Sequence, residues 1–263
     1  MTKAEERLEE LICFRSLMGL SVSTEDVRKI WGKKFYRQLD KSQLKDLESF
    51  TNENVNTKIS IAKKNVKKLL IFNWVKFVGI SGSVGAGFAK DDDDIDLFIV
   101  VRNNTMWLYR GLLTISNLFH HTIRTKRDHS VKDKFCINLI CEERDLVFEK
   151  DIFNFHELMY VKPLFNPEYL EYIYSKNIWL ISDYLVKSDL LRSRVLESRK
   201  SYVLASFNII DLYYQFLFML IDNHYPEFDR LKDNNSRGRI EFFEIDYKRK
   251  ILKNYLKRFK SIS

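Results

Sequence analysis

Asp94-Ile95-Asp96-Leu97 places two carboxylates on either side of one apolar residue, and a Gly82-Ser83 pair precedes it by ten intervening residues. In an extended strand, residues two apart share a face, so Asp94 and Asp96 project together while Ile95 and Leu97 turn toward a core. Carboxylates held side by side on a strand suit a hard divalent cation, Mg2+ or Mn2+. Gly82 lets the backbone approach a phosphate, Ser83 adds a hydroxyl and an amide, and Gly85 and Gly87 keep the turn free of side chains. No Gly-Lys-Ser/Thr follows, which excludes a Walker A loop. The glycine spacings and the acidic strand behind them exclude a dinucleotide fingerprint. The run Asp91 to Asp94 offers other pairs two apart, but only Asp94 with Asp96 alternates with apolar residues leading into a strand. Asp91 to Asp93 are then expected to form a solvated acidic turn.

The elements that must hold these groups follow from periodicity. Residues 78–101 read as strand, phosphate-gripping turn, strand. Before them, residues 57–73 predict a basic helix carrying Lys58, Lys63, Lys64, Lys67 and Lys68, a candidate surface for a phosphate-rich acceptor. After them, residues 106–121 predict a helix with Leu108, Leu112, Ile115, Leu118 and Phe119 on its apolar side and Arg110 on the other. Residues 122–134 form a polar, basic segment beside the site, and 135–141 alternate as a third strand. A short strand at 146–148 and helices over 168–186, 191–222 and 246–259 complete the core and its C-terminal flank. At the N-terminus, 3–19, a segment capped by Ser23 or Thr24, and 39–50 predict three short helices, either a winged-helix-like module or a helical packing cap. The class is α+β, a small mixed β-sheet with flanking helices, divided as 1–54 helical module, 55–150 core and 151–263 helical region.

The Gly-Ser, spacer and acidic-apolar-acidic-apolar signature resembles the nucleotidyltransferase superfamily related to DNA polymerase beta. Within it the chain is similar to small stand-alone bacterial nucleotidyltransferase-domain proteins. That likeness is carried by residues 60–68, Trp107-Leu108-Tyr109-Arg110, Lys134-Phe135-Cys136-Ile137-Asn138 and Asn177-Ile178-Trp179, and covers roughly residues 55–180. It implies transfer of NMP from an NTP, with Asp94 and Asp96 on the metals, Gly82, Ser83 and Gly85 at the nucleotide, and Arg110 as a triphosphate ligand. It also implies a third carboxylate on the neighbouring strand, where this chain has Asn138, which can lend a carbonyl oxygen but cannot act as a base. Asp128, Asp133 and Glu142 are the nearby carboxylates that could substitute. RNA or tRNA is the favoured acceptor, with protein or a small molecule as alternatives. The rival reading is a non-catalytic regulator whose degenerate core senses nucleotide or binds a partner.

The 44 Lys and Arg against 36 Asp and Glu give a net charge of +8, compatible with a polyanionic partner. Cys13, Cys136 and Cys141 have neither disulfide-framework nor zinc-finger spacing, which fits a reducing cytoplasm. The first dozen residues lack the apolar core of a signal peptide. Residues 202–221 are long enough to span a bilayer, but Ser206, Asn208, Asp211 and Gln215 interrupt them, so a buried cap helix and no membrane contact are expected. His120 and His121 end a predicted helix, where a cation complements the dipole.

Overall fold

The computed structural model describes residues 2–39, 52–125, 128–191, 206, 209, 213, 238–241 and 245–259. It is a mixed α and β structure built on one five-stranded sheet. Strand β1 (Val75–Ile80) pairs antiparallel with β2 (Ile95–Val101), and β2 pairs parallel with β3 (Phe135–Glu142). A parallel neighbour requires a crossover, here helix α6 (Met106–His120). Strand β4 (Lys162–Phe165) adds an antiparallel edge beside β1, and β5 (Arg239–Glu241) closes the other edge beside β3.

Both faces of the central strands are covered, which is why β1 and β2 read as nearly continuous apolar runs. Val78, Ile80, Leu97, Ile99 and Val101 pack with Val55, Trp107 and Tyr109 on one side. Phe77, Phe98, Val100 and Cys141 pack on the other against Leu11, Phe14, Phe155 and Ile173. The second core contains α1 (Lys3–Ser16), α7 (Ile152–Tyr160), α8 (Glu168–Lys176) and α10 (Ile245–Phe259), so N- and C-terminal helices share one cluster with the sheet.

Local signals fix the helix starts. Thr2 with Glu5 and Ser23 with Asp26 form capping boxes at α1 and at α2 (Thr24–Ile30), and α3 (Gly32–Tyr36) follows directly. The expected third N-terminal helix near 39–50 and the apolar run 202–221 fall largely outside the described residues. The basic helix begins earlier than its spacing predicts, because Asn52 caps α4 (Glu53–Asn65), and it ends in a 3-10 turn, Val66–Leu69.

Three expectations need correction. Residues 146–148 are not a strand, and the helix expected over 168–186 is broken into α8 and α9 (Trp179–Ser182). One residue explains both. Buried Asn177 accepts from the Phe148 amide at 2.8 Å and donates to Leu146 O and Ile173 O at 2.8 Å, which replaces ladder and helix bonds with side-chain bonds. The crossover helix α6 also buries a different face: Met106, Trp107, Tyr109 and Leu113 pack inward, whereas Ile115, Leu118 and Phe119 are exposed. The two aromatic rings remove more area from water than the aliphatic stripe would, and Tyr109 Oη donates to Leu69 O at 3.0 Å. Among the described residues no helix is long and apolar enough to cross a membrane.

Candidate functional site

Asp94 immediately precedes β2 and Asp96 lies within it; residues of this parity lead toward the Phe98 and Val100 face of the sheet. Gly82 and Ser83 open a single helical turn, α5 (Gly82–Gly85), so their amides have no intrahelical acceptor. Gly82 has φ +58°, and a Cβ built on it would lie 2.1 Å from Asp96 Oδ2. Only glycine lets the turn lie against that carboxylate. Gly85 is required for a different reason than phosphate approach: its Cβ would meet Ile80 O at 2.9 Å and Tyr160 O at 3.3 Å, so it seats the turn on β1 and α7.

A cleft of about 430 Å³ brings Ser81, Gly82, Ser83, Asp96, Asn138 and Glu157 together. Asn138 lies on β3 but is not the residue across from the carboxylates. The parallel register pairs Asp96 with Cys136 and Leu97 with Ile137, then skips to Phe98 with Leu139, leaving Asn138 as the extra residue of a bulge. Cys136 therefore occupies the place next to Asp96. Asp94, Asp96 and Cys136 each offer one ligand atom, all within 4.8 Å of one another, a grouping able to hold a divalent cation. Burial, then repulsion from Asp94, raises the Asp96 carboxyl to about 7. Burial and the same two carboxylates push the Cys136 thiol up to about 12.

The loop after α6 supplies a cation that sequence reasoning did not pair with the aspartates. Arg124 Nη1 donates to Asp94 Oδ2 at 2.6 Å and lies 4.0 Å from Cys136 Sγ. Arg110 does not line the cleft; it sits on α6 with its guanidinium over the Trp107 ring, 5.9 Å from the centroid.

The acidic turn is anchored rather than merely solvated. Lys58, 1% exposed, reaches from α4 to donate to Asp91 O, Asp93 O and Asp133 Oδ1. Asp93 accepts from the Lys90 amide at 2.9 Å and from Ser83 Oγ at 3.4 Å. Lys58 is thus a structural tie, whereas Lys63, Lys64 and Lys67 are exposed. In the loop, Lys132 pairs with Asp91 and Lys134 with Asp128.

None of the carboxylates considered as substitutes for the third acid reaches the cleft. Asp128 is held by Lys134 and Thr125, Asp133 by Lys58, and buried Glu142 accepts from the Thr105 and Met106 amides. Glu157, from α7, does line it. Its Oε1 lies 3.3 Å from His156 Nδ1. His156 Nε2 faces the Arg15 Nη1 donor at 3.0 Å, so Nε2 accepts and the proton belongs on Nδ1, directed at Glu157. No spacing in the sequence links α7 to β2.

Comparison with models of protein families, with curated proteins and with solved structures returns no match for this chain. The functional reading therefore rests on the site's own chemistry.

Proposed function

We propose that this chain is a metal-dependent nucleotidyltransferase that moves NMP from an NTP to an acceptor, with RNA or tRNA favoured. The observation that carries the reading is that Asp96 lines one cleft with the Gly82-Ser83 turn, with a carboxylate oxygen of Asp94 within 4.8 Å of its own. Asp94 and Asp96 would hold a divalent ion, Mg2+ or Mn2+, with Cys136 beside them. When bound, such an ion neutralises phosphate charge and favours the deprotonated acceptor.

The chain's own residues account for the rest. The Gly82 and Ser83 amides and the Ser83 hydroxyl bind phosphate oxygens. An acceptor oxygen attacks the α-phosphorus and forms the new P–O bond. The bond from that phosphorus to the bridging β-phosphate oxygen breaks, and pyrophosphate leaves. Glu157 takes the acceptor's proton, and Asn138, its amide in the cleft, orients the sugar or the acceptor. The exposed lysines of α4, with Arg249, Lys250, Lys253 and Lys257 on α10, offer a surface for an anionic acceptor. Protein and small-molecule acceptors are separate outcomes of the test.

The test is incubation with each labelled NTP, Mg2+ or Mn2+, and total RNA or lysate, beside Asp94→Asn/Asp96→Asn. Label on an acceptor that vanishes in the double variant supports transfer. The second reading, a nucleotide-sensing or partner-binding regulator, is favoured by one contact, the Arg124–Asp94 ion pair across the metal position. Nucleotide binding without any transfer would select it.

A further inference from the structure

A second cavity, about 860 Å³, lies between the N-terminal helices and the back of the glycine turn, and Leu20, Ala86 and Phe88 line both it and the cleft. Arg15, Lys29 and Lys162 line this basin from α1, α2 and β4. Arg15 is 4% exposed, and its partners are neutral: Ser21 O at 2.6 Å, Ala86 O and His156 Nε2 at 3.0 Å, and the Tyr160 ring 4.0 Å beneath the guanidinium. Lys29 donates to Met159 O and Lys162 to Val84 O. None of the three cations forms an ion pair with a carboxylate among the described residues. Glu25 and Asp26 also line the basin and act on Lys29 and Lys162 through space, outside ion-pair distance; Asp26 in addition accepts from the Ser23 amide at 2.9 Å as a helix cap.

A guanidinium removed from water without a directly paired carboxylate is expensive, and the basin's three cations outnumber its two carboxylates. Desolvation lowers the pKa of Lys29 and of Lys162, against the opposing pull of Asp26 and Glu25. The volume lies in the range of ligand pockets. We infer that this basin binds an oligophosphate, free or as the tail of a nucleotide, with Lys29 and Lys162 contacting its oxygens and Arg15 supplying fixed positive charge behind them. The site is distinct from the aspartate cleft and does not depend on nucleotidyl transfer.

The experiment is calorimetric titration of the full chain with sodium tripolyphosphate, and separately with ATP, in low salt with EDTA so that no divalent ion loads the aspartates. Saturable binding is expected, weakened about tenfold or more in Lys29→Gln/Lys162→Gln, since two charge-assisted contacts are lost. It should return in Lys29→Arg/Lys162→Arg, which also controls for folding, and persist in Asp94→Asn/Asp96→Asn. Tripolyphosphate binding equal to or tighter than ATP would identify the phosphate chain as the recognised group. No saturable binding of either probe, or binding insensitive to the glutamine pair but abolished by the aspartate pair, overturns the inference.

Discussion

Arg124 and Asp94 are bonded to each other at 2.6 Å, on the carboxylate that the proposed function gives to a divalent ion. An incoming ion must displace the guanidinium, whose side chain is 48% exposed and therefore held by a solvent-screened pair. Arg124→Ala is expected to tighten Mn2+ binding about two- to fivefold, the effect of a pair worth up to ~1 kcal/mol. The same variant should weaken NTP binding if the released guanidinium grips phosphate. Titration with Mn2+ and then with NTP reads both, and unchanged Mn2+ affinity would show that the pair does not guard the site.

Asp96 predicts a pH dependence of stability. Its folded-state value, about 7, lies above the ordinary 3.8, so the protonated form is the one favoured by folding. Its contribution is complete below about 3.8 and is lost as pH rises to about 7. In EDTA the thermal midpoint should fall across that window. Asp96→Asn should flatten the dependence, and Mn2+ should raise the wild-type midpoint above pH 7 but not the variant's. A wild-type midpoint that stays level in EDTA would contradict the burial of Asp96 beside Asp94.

Glu157 is assigned the proton-accepting role, so Glu157→Gln should reduce transfer on the order of 100- to 10,000-fold while leaving nucleotide affinity nearly unchanged. Asn138→Ala, in contrast, should act on acceptor or nucleotide affinity. Single-turnover transfer and equilibrium binding, measured together, separate the two. Equal losses in rate for Asp128→Asn and Glu157→Gln would remove the assignment.

Asn177 stitches the segment after β3 to the break between α8 and α9. Asn177→Ala removes three hydrogen bonds to buried backbone groups and should cost about 2–4 kcal/mol, read by urea denaturation. A loss below 1 kcal/mol, on the order of an exposed substitution, would mean that the segment repacks.

What the sequence determined by itself is local. Period-two alternation selected Asp94 with Asp96 out of a run of aspartates, because strand geometry puts such residues on one face whatever surrounds them. Ser23 or Thr24 marked a helix start, of which Ser23 proved to be the cap, and the α+β class followed from the change of period between 95–101 and the flanking helices. Tertiary structure decided the rest of the site. The neighbour of Asp96 depends on the register between parallel strands joined through a crossover, and a bulge at Asn138 puts Cys136 there. Arg124 and Glu157 arrive on a loop and a helix remote in sequence, and which face α6 buries was set by the bulk of Trp107 and Tyr109. Such placements are settled by packing between distant segments, which no local spacing encodes.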